Sequence, residues 1–363
     1  MTEQPPPKEW DKKSIDLLFK GLKADMFFDI DENGKIKAFL GEKLSLVLQQ
    51  VKHIVVLRRS QEIFIYNETN GKYEGKGILG KNLLYELIHD ILGTYYREHN
   101  AKQVYESIIT SRRIVKYRED LNPPLHLIGF KNGILDTNIE PYNWLPHDSQ
   151  YFFTELIEID YNPKATHKVW DKFLDSSFYP YDVLFLKQWV GSILLRKIIK
   201  PNFKCPILHG PTRTGKSTFV HVLKALFGRA SVSVALQNFK DKFERYRFYG
   251  ILLNAHADIS SDELHDTSWF KTIVAGDNIS ARTLYFPSIE FSPYTKHIFC
   301  CNDLPQTWDD TDAFWGRVRL TSVNKQQFFD NNPNIIRDLF AQLTTPEEYK
   351  KKLKASVKRS LEK

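Results

Sequence analysis

The sequence predicts an α/β fold: a P-loop core with a parallel sheet flanked by helices, preceded by a mixed α+β N-terminal domain. Three observations predict it. Gly210 to Ser217 read G-P-T-R-T-G-K-S. This run follows a short apolar segment, Cys205 to His209, and opens a stretch with Phe219, Val222, Leu223, Leu226 and Phe227 at helical spacing before Gly228. Two further apolar runs end in polar residues, Gly250 to Asp258 in an acid and Lys296 to Asn302 in an amide. Strands alternating with helices in this way build parallel sheets.

The elements ahead of the core are shorter and mixed. Ile15, Leu17, Leu18 and Leu22 suggest an early helix, followed by strand-like pieces at Met26–Ile30 and Ile54–Leu57. Asn70-Gly71 between apolar flanks signals a hairpin. Amphipathic helices are expected near Leu83–Glu98 and Ala101–Tyr117. Leu127 to Asp136, turning at Asn132-Gly133, reads as a second hairpin, Pro146 to Tyr161 as an extended piece, and Pro163 to Ile199 as helical. The expected division is a domain over 1–162, a P-loop domain over 163–340 and a basic helix or tail over 341–363. The lysine-rich end, Tyr349 to Lys363, is either a DNA-tracking helix or a solvated terminus.

Composition narrows the class. The 363 residues are 42% hydrophobic and 13% aromatic, which suits a folded chain with a sizeable core. No apolar run approaches the roughly 20 residues that span a bilayer, and Met1 to Lys13 is polar and Pro-rich, unlike a signal peptide. No membrane partner and a cytoplasmic location are therefore expected. Cys205 stands alone and Cys300-Cys301 lie inside an apolar strand, so all three read as small buried hydrophobes. No histidine and cysteine spacing suggests zinc. A net charge of +7 attracts polyanions without identifying one.

The candidate chemistry centres on the loop. Gly210, Pro211, Thr212, Arg213, Thr214, Gly215, Lys216, Ser217 and Thr218 form a cradle for ATP. Backbone N–H groups and the positive helix end face the β-phosphate, Lys216 reaches the β- and γ-phosphates, and the Ser217 hydroxyl ligates Mg²⁺. Asp258 holds the water shell of the Mg²⁺. Ala257 stands where many ATPases carry a second acid, so either Asp258 also polarises the attacking water or Asp262 or Glu263 does. Asn302 is placed to sense the γ-phosphate.

Between these strands, Asp262 to Ala275 reads as a helix with Trp269, Phe270, Ile273 and Val274 inward. Ile279 to Phe286 and Ile289 to Phe291 alternate across Pro287-Ser288 as a hairpin carrying Arg282, Thr283, Tyr285 and Phe286. A cation beside aromatics suits a single nucleic-acid strand. Downstream, Arg317 and Arg319 lie on a short strand, and an arginine reaching across a subunit interface can stabilise phosphoryl-transfer charge where lysine cannot match it.

This order of motifs resembles superfamily 3 helicases. The loop, the acid-ended strand, Gly276-Asp-Asn-Ile-Ser-Ala-Arg-Thr-Leu-Tyr285, Asn302-Asp-Leu-Pro305 and a closing arginine carry the resemblance. Phe130-Lys-Asn-Gly-Ile-Leu-Asp136 with Pro146-His-Asp148 extends it to the helicase part of phage, plasmid and poxvirus-type primase-helicases. The resemblance spans roughly Ile63 to Leu320. It implies an AAA+-like core, a homo-oligomeric ring, usually hexameric, and ATP between subunits. It assigns Asp258 as Walker B acid, Asn302 as sensor, Arg317 as arginine finger and Arg319 as its reserve. The hairpin then lines a channel for single-stranded or forked DNA.

Two features depart from the pattern. The lysine often found after the hairpin's Leu-Tyr is Phe286 here, which passes DNA contact to Arg282, Lys271 or the aromatics. Nothing supplies a primase-like carboxylate cluster, so any primase or polymerase is expected to be a separate partner. The function expected is an ATP-driven replicative DNA helicase of a virus or plasmid. The alternatives are a non-translocating origin-binding or assembly ATPase and a P-loop small-molecule kinase.

Overall fold

A computed structural model describes residues 21–121, 123–138, 140–198, 204–257, 259, 266–304 and 311–323. Asp258, Asp262, Glu263 and the basic segment 341–363 lie outside the described residues. The chain forms two compact units. One runs to residue 122 and includes Asp148–Phe153 and Leu284–Pro287; the other comprises Pro123–His147, Thr154–Thr283 and the chain from Ser288.

The N-terminal unit begins with a ribbon of β1 (Phe28–Ile30) and β2 (Ile36–Phe39) and the helix α1 (Gly41–Val51). Leu44, Leu48 and Val51, spaced on one helical face, are all buried. Then follow β3 (Ile54–Leu57), β4 (Ile63–Asn67), β5 (Lys72–Glu74), α2 (Leu79–Leu92), α3 (Glu98–Thr110) and β6 (Val115–Lys116). The sheet order is β5-β4-β3-β6, with the β4–β5 hairpin turning at the expected Asn70-Gly71. Both helices end earlier than their apolar spacing suggests. The residues beyond α3 are claimed by pairing: Val115 and Lys116 lie parallel to Val56 and Leu57. Ladder bonds there satisfy backbone groups that a longer helix would have satisfied internally.

The second unit opens with the meander β7 (Leu127–Phe130), β8 (Gly133–Asp136) and β9 (Asn143–Leu145). Helices α4 (Lys168–Ser177) and α5 (Pro180–Ile193) precede β10 (Cys205–His209) and α6 (Lys216–Phe227). The remaining elements are β11 (Ser231–Val232), α7 (Lys242–Tyr246), β12 (Leu253–His256), α8 (Ser268–Val274), β13 (Ile279–Ala281), β14 (Ile289–Phe291), β15 (Lys296–Cys301), α9 (Asp312–Trp315) and β16 (Val318–Ser322). Five strands make one sheet in the order β11-β12-β15-β10-β16, every pair parallel.

Side chains alternate across this sheet and fill two cores. Leu208, Ile298 and Cys300 pack with Phe173, Leu186, Phe219 and Leu223 of α4, α5 and α6. Ile207, Phe299 and Cys301 pack with Phe239, Phe270 and Ile273 on the other face. Burial of each such phenylalanine contributes about 1.5–3 kcal/mol. Cys205, Cys300 and Cys301 form no disulfide and are buried in these layers, and burial pushes the Cys205 thiol well up.

Candidate functional site

The loop 210–217 leaves the carboxyl end of β10, a strand buried between β15 and β16, and enters α6. Two glycines make the path possible. A Cβ on Gly210, at φ +153°, would sit 2.1 Å from the Val323 carbonyl oxygen, and Gly215 caps α6 at φ +98°. Arg213 also takes a left-handed φ of +62°, a strained conformation of the kind that clusters at binding loops. The Thr214 hydroxyl donates to the Pro211 carbonyl at 3.0 Å, tightening the turn.

Lys216 is buried at the first position of α6, and its ammonium donates to the Gly210 and Pro211 carbonyls at 2.5 Å each. Ser217 beside it is exposed. The loop borders a cavity of about 350 Å³ whose wall runs from Thr212 through Thr218 and includes His221, Ala257, Cys301 and Asn302. The sheet order explains the company: β15 lies next to β10 and β12 next to β15, all parallel, so the residues after both strands open into the same space. Asn302 thus lines the same cavity as the loop, and it is exposed there. A buried cation, a helix amino end and a small cavity lined by hydroxyl, amide and imidazole side chains together fit a phosphate chain.

The two arginines lie elsewhere. Val318 pairs with Cys205 at the start of β10, and the Cys205 N–H donates to the Arg317 carbonyl. Arg317 and Arg319 therefore sit at the amino ends of the parallel strands, about 13 Å or more from their own chain's loop. Arg317 donates to the Ala313 carbonyl. Arg319 meets Asp182 at 3.2 Å and packs over the Phe185 ring of α5. Burial raises the Asp182 carboxyl pKa, and the Arg319 guanidinium opposes that rise. Arg319 is committed within its own chain.

The segment 279–291 is a hairpin, but a shorter ladder than its alternation suggests: Ile279 to Ala281 pair with Ile289 to Phe291, and 282–288 form the loop. Arg282, Tyr285 and Phe286 are thus loop residues and not strand residues. Tyr285, at φ +68°, is 85% exposed and Leu284 is 62% exposed, an uncommon outlay of large apolar surface. Lys271 is half-buried on α8.

Arg245 of α7 went unnoticed in the sequence. It is buried, and its guanidinium donates to the Ser280 carbonyl at 2.9 Å, to Phe239 at 3.2 Å and to Lys240 at 2.6 Å. It also lies 3.7 Å from the centre of the Trp269 ring. One side chain thereby ties the hairpin base to α8 and the 236–240 turn. No periodicity marks it, because Lys242 to Arg245 reads as an ordinary charged stretch.

Two family models match. Residues 208–319 match a family of unknown function, DUF5906, and residues 48–178 match the D5 N terminal like family. A protein of Acanthamoeba polyphaga mimivirus named "Putative helicase L207/L206" is 26% identical over 225 residues, which cover 56% of this chain and 22% of that protein. Apo structures of the NrS-1 C terminal region share the fold, with a TM-score of 0.50 at 13% identity, covering 81% of this chain and 64% of theirs. The chain spans under a quarter of the mimivirus protein and under two thirds of the NrS-1 region. The structural likeness shows a mixed α/β fold. Among the described residues, no helix is long and apolar enough to cross a membrane.

Proposed function

We propose that the chain is the motor part of an ATP-driven, ring-forming DNA helicase of a virus or plasmid. The observation that carries the reading is the loop after β10, which holds a buried Lys216 at the amino end of α6 with Asn302 across the cavity. ATP lies along Gly210–Thr218, its phosphates facing the backbone N–H groups and the Lys216 ammonium. The Ser217 hydroxyl and Asp258 would hold Mg²⁺, which would supply positive charge to the β- and γ-phosphates. Asn302 contacts the γ-phosphate or the attacking water.

The placement of the arginines favours an assembly. In their own chain they are at the wrong end of the sheet for the loop, so a guanidinium that completes the pocket comes from a neighbour. That role is assigned to Arg317, as the resemblance implies, with Arg319 its reserve; Arg317 donates to the Ala313 carbonyl and Arg319 meets Asp182. A head-to-tail interface of this kind closes into a ring, taken here as a hexamer. The exposed 282–288 loop, with Arg282, Tyr285 and Phe286, faces single-stranded DNA, with Lys271 a further cation.

The test is ATP hydrolysis with and without single-stranded DNA, alongside strand displacement on forked DNA. Lys216→Ala is expected to abolish ATP binding and turnover. Arg317→Ala is expected to retain binding and lose roughly 10³-fold or more in turnover. A wild-type chain that stays monomeric with nucleotide yet turns over fully, or an Arg317→Ala variant with full activity, refutes the shared pocket.

A further inference from the structure

The N-terminal unit carries a second basic and aromatic site that the motor does not use. Arg58-Arg59 and Lys116-Tyr117 are far apart in sequence, and the parallel register of β3 and β6 joins them. Leu57 pairs with Lys116, and the Arg58 N–H donates to the Lys116 carbonyl at 3.0 Å. All four side chains are exposed, and β6 is an edge strand.

The aromatic residue is presented, not packed away. Tyr117 is 51% exposed, yet the Arg58 guanidinium donates to its hydroxyl at 2.6 Å and lies 5.2 Å from its ring centre. The Lys116 ammonium stands 5.5 Å from the centre of the Phe152 ring. Arg112 and Arg113, just before β6, extend the positive edge and are exposed. Against these cations, the Asp120 carboxylate accepts from the Tyr117 N–H at 2.8 Å. A half-exposed ring beside a guanidinium offers a stacking surface for an unpaired base, and the neighbouring exposed cations offer charge for its phosphates.

We propose that this edge binds single-stranded DNA, with phosphates along Arg58, Arg59 and Lys116 and a base stacked on Tyr117. Choosing DNA among polyanions rests on the motor reading above; the binding surface itself does not.

The test is fluorescence anisotropy of the full chain with labelled oligo(dT) over a salt series. The triple variant Arg58→Ala, Arg59→Ala, Lys116→Ala is expected to weaken binding at least about tenfold and to lower the slope of log K against log salt by about 2, about 0.7 per phosphate contact. Tyr117→Ser is expected to cost about tenfold while Tyr117→Phe binds like wild type. DNA-independent ATP hydrolysis stays at the wild-type level in all of them. Wild-type affinity and slope in the triple variant overturn the inference while leaving the motor reading intact. If wild type hydrolyses no ATP but the oligo(dT) losses appear, the motor reading falls and the edge stands. Equal binding of duplex DNA or of oligo(U), insensitive to Tyr117→Ser, overturns the assignment to single-stranded DNA.

Discussion

Replacing Arg245 with alanine isolates the connection between the hairpin and the body of its unit. The bond to the Phe239 carbonyl is buried, and those to Ser280 and Lys240 are partly buried. Hydrogen bonds from a charged donor contribute about 1.5–3 kcal/mol where water cannot replace them. Taking about 1.5 kcal/mol for the buried bond and about half that for each of the others gives about 3 kcal/mol. The stacked Trp269 ring adds about 0.5–1 kcal/mol. The expected loss is therefore about 3–4 kcal/mol, read as a shift of about 1–2 M in the urea midpoint. Arg245→Lys keeps a positive charge but loses the planar fork, and should recover at most half. In the same variants, stimulation of ATP hydrolysis by single-stranded DNA should fall further than basal hydrolysis, since β13 loses its anchor at Ser280. A loss below about 1 kcal/mol for Arg245→Ala refutes the hub assignment.

Two further outcomes test the core. Gly210→Ala drives a Cβ against the Val323 carbonyl oxygen, 2.1 Å away, so main chain must move; a destabilisation of about 3 kcal/mol or more with loss of binding of a fluorescent ATP analogue is expected, and wild-type melting with wild-type binding sinks the argument. His297 lies between the Phe239 and Phe248 rings, where burial first, and the Lys296 ammonium second, push its imidazole from 6.5 down to about 3. Because the folded pKa is the lower one, the unfolded chain takes up the proton first. Stability from this group is complete above pH 6.5 and is lost as pH falls toward 3, with a slope approaching about 1.4 kcal/mol per pH unit. Urea titrations of His297→Gln across that range should show a flatter dependence than wild type, and identical slopes count against it.

The loop, its strand and its helix were legible in the residues because their signals are local. Glycine spacing, a short apolar run and a helical repeat all fall within about two dozen positions, and each reports backbone preference directly. The β4–β5 and β7–β8 hairpins were legible for the same reason, through Asn70-Gly71 and Asn132-Gly133. Element ends were less so: Val115 and Lys116 look helical until β3 is there to pair with them. Alternation likewise carried the expected hairpin strand to Phe286, whereas the ladder ends at Ala281 and Tyr285 turns at φ +68°. Which acid works beside Asp258 stays a matter of sequence, since Asp258, Asp262 and Glu263 lie outside the described residues.

By itself the sequence determined that this protein carries a glycine-bounded loop between a strand and a helix, in a parallel α/β core behind a smaller mixed unit. Such features are written in propensities and spacings a few residues long. Tertiary structure alone decided that Asn302 shares a cavity with the loop, that Arg317 and Arg319 stand at the far end of their own sheet, and that Arg319 answers to Asp182. It also decided that Arg245 binds three carbonyls and that Arg58 meets Tyr117. These pairings depend on strand order and register across many tens of residues, and a charge or a ring shows no partner until the chain has folded around it.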